Sequence, residues 1–317
     1  MSRRLRYVLG SALAAAGLTW WTTTRFRRWR DQAAERLRIG SNLQQTACGP
    51  IEYAMMGEGP PVVVSHGLCG GYDQGLAIAG LIGLPDFCFV ALSRPGYLRT
   101  PLQTGLTFDR QADAFAALLD SLGISRAAII GVSAGGPPAL AFARRHRDRC
   151  IGLVLMSAVT RRLVRGEVAI PRAMRLATSP LADFGYWLVL RPVARWSPRL
   201  AAGGMLLQNT VRVLQDLSIE SPFLKLIDTF VPLSLRRAGM LNDEIQIGSL
   251  PDSVAPVDCP KALIIHGSMD TLVPYDNATA AARAVPGAEL VPVHGGGHLT
   301  AIFRAPQLRS VIARFLK

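Results

Sequence analysis

The sequence predicts an α/β protein with a mostly parallel central sheet flanked by helices. Short β-branched runs that are apolar almost throughout recur along the chain, and longer Ala- and Leu-rich stretches with helical spacing alternate with them. Strands apolar on both faces must be covered on both sides, which a parallel sheet between helical layers achieves. The composition agrees: 317 residues, 50% hydrophobic and 18% charged, can bury a large core, and this excludes an intrinsically disordered chain.

The first 40 residues read as a separate leader. Arg3, Arg4 and Arg6 precede an uncharged run from Tyr7 to Thr24, which carries Trp20 and Trp21 near its end and is closed by Arg25, Arg27, Arg28 and Arg30. As a helix this run spans about 27 Å, slightly short of a hydrocarbon core of about 30 Å. Paired Trp followed by Arg is the pattern of an interfacial anchor, and a membrane-associated protein with a transmembrane helix over 7–24 and a basic linker to residue 40 is expected. Four Thr and two Gly weaken the hydropathy of the run. A cleaved signal peptide and secretion, or a soluble tail and a cytoplasmic protein, are the competing readings; the apolar character continuing past Ala14–Ala16 speaks against cleavage. The Arg clusters at both ends leave the orientation open.

From residue 41 onward the elements follow in order. Leu43–Thr46 and Ile51–Met56, separated by Gly49-Pro50, form an antiparallel hairpin. Val62–Ser65, Phe87–Leu92, Ala127–Val132, Ile151–Met156, Ala262–His266 and Glu289–Val293 are the apolar strands. Helices are expected over Phe108–Leu122, behind Thr107 and before Gly123, and over Pro137–Arg145, Asn277–Ala284 and Pro306–Phe315. Between residues 158 and 250 the strand rhythm stops and amphipathic patterns such as Ala201–Leu217 take over. So long an interruption between two strands predicts a helical cap inserted after the sixth strand, since structureless loops of that length are rare. Residues 41–317 then form one domain with 158–250 as its insertion.

The net charge of +13 suggests nucleic acid at first, but its distribution excludes that reading. Residues 1–40 carry nine Arg against two acids, 41–157 balance at eight and eight, and 158–250 carry twelve basic against seven acidic residues. A phosphate-tracking face needs Lys and Arg interleaved with aromatics through the folded domain, and no such stretch is visible. The five cysteines, at 48, 69, 88, 150 and 259, are odd in number and scattered. They form neither a disulfide framework nor a zinc site, and they point to a reducing compartment. Cys88 and Cys150 read as small core residues.

The chemistry centres on Gly131-Val132-Ser133-Ala134-Gly135, immediately after one apolar strand and before a helical run. A serine on a tight strand-to-helix turn needs small neighbours, which Gly131 and Gly135 supply, and the following helix directs its first N–H groups at developing negative charge. Alone, the same five residues also suit a small-residue turn of any doubly wound protein.

With this motif in this context the sequence resembles the α/β-hydrolase family over residues 41–317. The resemblance implies a serine nucleophile served by an acid and a histidine that follow in that chain order. Asp270, in His266-Gly267-Ser268-Met269-Asp270 after an apolar strand, resembles the family's acid-bearing turn. The alternative acid position, Met156-Ser157-Ala158-Val159, holds no carboxylate. His298, in Gly295-Gly296-Gly297-His298, matches the family's base, with His294 as rival at the strand end. His146 and His266 read as structural. By the same resemblance, the backbone N–H groups of Leu68 and Ala134 form an oxyanion hole, with His66-Gly67-Leu68-Cys69-Gly70-Gly71 resembling the family's loop; His66 reads as fixing that loop, with Gly67 beside it as supporting residue. Cys69 lacks the elbow context of a nucleophile. Ser93-Arg94-Pro95-Gly96-Tyr97 resembles another family turn, although Ser93 stands where Asp is usual.

The family pattern implies a serine hydrolase that cleaves a carboxylic ester or related acyl compound through an acyl-enzyme, with no metal or organic cofactor. The same residues serve cofactor-free perhydrolysis, C–C bond hydrolysis and acyl transfer to an alcohol. A non-catalytic binding or scaffold protein on this fold is the alternative of another class. The insertion is rich in apolar residues, among them Phe184, Tyr186, Trp187, Leu188, Trp196, Leu206, Leu207, Phe223 and Phe230, which suit either an apolar acyl pocket for a small-molecule substrate or ordinary helix packing.

Overall fold

The computed structural model describes residues 3–163, 175–176, 178–197, 200 and 220–317. The chain divides into two compact units, Met1–Gly40 and Ser41–Lys317. The first is one helix, α1 (Arg3–Ile39), which runs on through the stretch expected as a linker. Thr19, Thr22, Thr23 and Thr24 donate their hydroxyls to carbonyls one turn back, at 2.6–2.8 Å, so the polar stretch satisfies itself within the helix. The expected transmembrane helix is not supported: no helix among the described residues is long and apolar enough to cross a membrane. The Thr cluster, the Trp pair and the two Gly dilute the only uncharged stretch α1 has.

The second unit is built on an eight-stranded sheet of order β1-β2-β4-β3-β5-β6-β7-β8. The strands are β1 (Asn42–Thr46), β2 (Gly49–Met56), β3 (Pro61–Ser65), β4 (Cys88–Leu92), β5 (Ala127–Val132), β6 (Cys150–Met156), β7 (Ala262–Gly267) and β8 (Glu289–Val293). β1 and β2 form the expected antiparallel hairpin, β2 pairs antiparallel with β4, and all remaining pairings are parallel. Val63, Ile129, Leu153 and Ile264 lie in one core with Phe115, Leu119, Phe142 and Ala281. Their strand neighbours Val62, Ile130, Val154 and Ile265 are equally buried, so both faces of the sheet are covered.

Helices α2 (Tyr72–Ile82), α3 (Phe108–Ser121) and α4 (Gly136–Arg145) follow β3, β4 and β5. α3 starts where expected because Thr107 accepts a hydrogen bond from Arg110 N–H at 3.2 Å. α2 was not foreseen, because Gly75 and Gly80 interrupt its pattern. Gly75 is there for packing: a Cβ at that position would lie 2.8 Å from the Ala91 Cβ on β4. Between β6 and β7, the described elements are all helical: α5 (Pro180–Gly185), a π-turn (Tyr186–Leu190) and α6 (Arg191–Trp196) in succession, α7 (Glu220–Asp228), a 3-10 turn (Leu233–Arg236) and α8 (Arg237–Gly248). The predicted helix Ala201–Leu217, with Leu206 and Leu207, lies outside the described residues. The chain ends with α9 (Asp276–Ala284), α10 (Thr300–Phe303) and α11 (Arg309–Leu316). The helix expected over Pro306–Phe315 is α11, which starts three residues later than expected, and the short α10 before it was not expected; Pro306 lies in the turn between them.

Candidate active site

Ser133 sits where β5 turns into α4 and adopts φ 51°, a left-handed conformation that L-residues avoid unless their surroundings impose it. Here the imposing contacts are short. A Cβ at Gly135 would lie 2.1 Å from the Ser65 carbonyl oxygen, and one at Gly131 would lie 2.7 Å from the Ala139 Cβ. Only glycine fits at either flank, as the small-residue requirement of the turn predicts.

Asp270 and His298 arrive from the loops after β7 and β8. These loops interlock: Met269 N–H donates to Gly296 O at 2.9 Å, and a Cβ at Gly267 would lie 2.4 Å from that oxygen. His298 Nε2 is 3.0 Å from Ser133 Oγ, and His298 Nδ1 is 2.7 Å from Asp270 Oδ2. The second carboxylate oxygen, Oδ1, accepts the N–H groups of Leu272 and Val273 at 2.9 Å each. Burial opposes ionisation of Asp270, but hydrogen bonds from His266 and His298 outweigh it, and the carboxyl is held well below its ordinary range. His294 is exposed at the end of β8; His298, and not its rival, meets the serine. His146 pairs with Asp113 at 3.0 Å on the α3–α4 surface, a structural role as expected.

The loop His66–Gly71 lies against the serine: a Cβ at Gly67 would come within 3.2 Å of the Ser133 Cβ. Leu68 and Ala134 share one apolar cluster with Val159, Val273 and Ile247. His66 is fully buried. Its Nδ1 donates to Gly67 O at 2.8 Å and its Nε2 accepts from Arg94 N–H at 3.0 Å, which fixes the neutral tautomer. Burial first, then the Arg94 charge, push its pKa well below the usual histidine value. Cys69 lies in the same loop at φ 63°, and burial pushes its thiol up to about 12, far from a reactive thiolate.

Ser93, the departure from the family turn, has its missing carboxylate supplied from elsewhere. Its hydroxyl donates to Glu52 of β2 at 2.8 Å and accepts from Tyr72 N–H at 3.1 Å, while Arg99 binds the same carboxylate at 2.7 Å. Several residues that sequence reasoning missed hold the site together. The buried Arg94 guanidinium donates to His66 O at 3.0 Å and to both oxygens of Asp243 of α8, at 2.9 and 2.5 Å, and Tyr97 OH donates to the same carboxylate at 2.6 Å. Buried Arg236 donates to Gly70 O at 3.0 Å and to Asp73 at 2.7 Å. Ser157, at φ 46° after β6, donates its hydroxyl to His298 O at 2.7 Å. The one available signal was an Arg or Asp inside an otherwise apolar pattern, which names no partner.

Among the apolar residues of the insertion, Tyr186 and Phe223 are buried, and Phe223 packs on Phe303 at 6.1 Å between ring centres. Phe184 and Trp187 pair at 5.9 Å. Trp196 is 81% and Leu188 48% exposed. Cys150 is a core residue as expected, whereas Cys88 is half-buried.

Comparison with known proteins agrees with this architecture. A family model described as alpha/beta hydrolase fold matches residues 60–179, and one described as TAP-like protein matches residues 246–317. The chain is 29% identical over 278 residues to an uncharacterized hydrolase, YcgS, of Bacillus subtilis, covering 85% of this chain and 95% of that protein. It is 28% identical over 224 residues to a 2-hydroxymuconate semialdehyde hydrolase of Pseudomonas putida, covering 70% and 73% of the two chains. An alpha/beta hydrolase fold protein from Nakamurella multipartita is 30% identical and superimposes with a TM-score of 0.66, over 87% of this chain and 98% of its own. Sheet order, turn sequence and relatives agree, and the chain belongs to the α/β-hydrolase fold family.

Proposed function

We propose that this protein is a serine hydrolase that cleaves a carboxylic ester, or a related acyl compound, of a small molecule. The observation that carries the reading is the unbroken chain from Ser133 Oγ through His298 Nε2 at 3.0 Å and His298 Nδ1 to Asp270 Oδ2 at 2.7 Å. A free serine hydroxyl is a poor nucleophile, and this arrangement relieves that weakness. His298 takes the hydroxyl proton as Ser133 Oγ attacks the carbonyl carbon, and Asp270 orients the imidazole and stabilises its charged form. The proton passes to the leaving alkoxide as the acyl–oxygen bond breaks. Water, deprotonated by His298, then hydrolyses the acyl-enzyme and frees Ser133.

The tetrahedral oxyanion is assigned to the N–H groups of Leu68 and Ala134, with His66 and Gly67 supporting the loop. The close approach of Gly67 to Ser133 supports this assignment. The helices inserted within 158–250 are assigned as a cap, supported by Ile247 and Leu250 packing in the cluster that holds Ala134 and Leu68. A second reading, hydrolysis of a C–C bond next to a carbonyl, uses the same residues and is favoured by similarity to the Pseudomonas putida relative, named a hydrolase of 2-hydroxymuconate semialdehyde, a compound with a carbonyl and no ester.

The test is intact-mass analysis after exposure to a fluorophosphonate, with Ser133→Ala and His298→Ala as controls. One adduct on the wild type, absent from both variants, supports the reading, as does a loss of about 10⁴-fold or more in esterase kcat for Ser133→Ala. An unlabelled, folded wild type would overturn it. Assays with p-nitrophenyl esters beside a vinylogous 1,5-diketone then separate ester from C–C cleavage.

A further inference from the structure

Asp270 Oδ2 is approached by two imidazoles. His298 Nδ1 stands at 2.7 Å and His266 Nε2 at 3.3 Å, on opposite sides in sequence, from the loop after β8 and from the last turn of β7. Both side chains of the second pair are buried, His266 at 1% and Asp270 at 0% side-chain exposure. The protonation of His266 at Nε2 follows from its partners alone. The same nitrogen is 2.9 Å from the Val273 carbonyl oxygen, which only accepts, and the ionised carboxylate also only accepts. Nε2 therefore carries a hydrogen, shared between Val273 O and Asp270 Oδ2. The ring is held in place by the edge of Tyr275, 6.0 Å between ring centres.

We infer that His266, which the sequence places among structural histidines, is a positioning residue for Asp270 that sets how strongly this carboxylate holds the proton of His298. The inference rests on the acyl-transfer reading above. The groups facing the Asp270 carboxylate are His266 from β7, His298 from the loop after β8, and the N–H groups of Leu272 and Val273 from its own turn. The last two saturate Oδ1. Oδ2 divides its negative charge between the two imidazole donors, so each weakens the hold of the carboxylate on the other. His266 is the leading hydrogen-bond contribution that keeps Asp270 ionised despite its burial. Removing it leaves the orientation through Oδ1 intact and returns the whole charge of Oδ2 to His298. The imidazolium is then stabilised to higher pH, and His298 is less available as a base near neutrality.

The test uses the full chain with p-nitrophenyl butyrate as probe, reading kcat/KM against pH for wild type, His266→Phe and His266→Gln. Phe keeps the ring volume against Tyr275 and removes the donor; Gln keeps an N–H. For His266→Phe the acid limb is expected to move to higher pH by about half a unit, with kcat/KM at pH 7 down by about 2- to 3-fold and KM unchanged. His266→Gln is expected to restore the limb. A labelled, active wild type with the same acid limb in His266→Phe overturns this inference alone. A wild type that neither labels at Ser133 nor hydrolyses the ester overturns the acyl-transfer reading and this inference with it. If His266→Phe does not fold, the wild type carries the test by NMR: the Nε2 proton of His266 is expected downfield and shifting as His298 titrates. A resonance that ignores that titration overturns the inference.

Discussion

The ends of strands β5, β7 and β8 and the helices inserted between β6 and β7 reach the same site by different physical routes. At the strand ends, Ser133 and Asp270 are set by the backbone of their own turns. Ser133 takes its φ of 51° from the turn between two glycines, and Asp270 is fixed by N–H groups two and three positions on. The insertion is fixed from far away. Asp243 of α8 meets Arg94, 149 positions earlier, and Arg236 meets Gly70, 166 positions earlier. The first kind of constraint is steric and local, and the second is a buried charge that needs a partner to offset its desolvation. The two regions are therefore expected to fail differently when cut.

The largest effect is expected on the insertion side. Asp243→Ala leaves the fully buried Arg94 guanidinium without its carboxylate, and breaking a buried pair in this way costs about 3–5 kcal/mol. Urea unfolding monitored by fluorescence should give that loss. Arg94→Met combined with Asp243→Leu should recover most of it, because the pair is then replaced by apolar volume instead of being orphaned. A loss below about 1 kcal/mol for Asp243→Ala would show that the clamp is not what holds α8, and the contrast between the regions would break.

Gly135→Ala tests the other side, with a smaller effect on stability and a larger one on chemistry. The new Cβ would meet the backbone oxygens of Ser65 and His66 at 2.1 and 2.5 Å, and neither can swing away as a side chain does. The turn must shift, costing about 1–3 kcal/mol. The displacement of Ser133 relative to His298 should lower kcat/KM for a p-nitrophenyl ester by about 100-fold. If the variant were fully active, the strained turn would not be what aims the serine.

The same contrast explains what could be read in the sequence. Apolar runs marked six strands to within one residue at each end, because burial on both faces leaves no alternative pattern. The turns carrying Ser133, Asp270 and His298 were legible through their glycines: Gly135 and Gly267 answer to short backbone approaches, Gly131 to the Ala139 side chain, and Gly295 to a positive φ of 67°. α2 was not, since Gly75, needed against Ala91, erased the helical signal. Arg94, Asp243, Arg236 and Ser157 were invisible as site residues, because a buried charge or hydroxyl shows its meaning only beside a partner far along the chain. Glu52 taking the place of a turn aspartate at Ser93 is the same case. The uncharged leader run misled for a related reason: counting charges ignored the Thr, Gly and Trp that make α1 too polar for a span.

His66 stands where the two regions meet, and it offers the smallest and most selective test. Its carbonyl accepts from the Arg94 side chain and its ring from the Arg94 backbone, so the clamp and the loop beside Ser133 share this residue. Burial and the Arg94 charge hold it neutral in the folded protein, with its pKa depressed, while in the unfolded chain it titrates near 6.5. Above about pH 6.5 neither state binds the proton and its contribution to stability is complete. As pH falls below that value the unfolded state takes up a proton that the folded state refuses, and stability declines. Asp270, also depressed in the fold, adds its own loss only below about pH 4, where the unfolded carboxyl begins to protonate. Thermal melts between pH 7.5 and 5.5 therefore isolate His66 from Asp270. The drop in Tm across that range should be smaller in His66→Gln than in the wild type, and equal drops would mean that the proton is excluded elsewhere. Because His66 already carries no extra proton in the fold across this range, Asp243→Asn should lower Tm throughout and leave the slope of the decline unchanged. With its carboxylate neutralised, Arg94 makes protonation of the imidazole in the fold still less favourable, but no folded-state proton is left for it to expel.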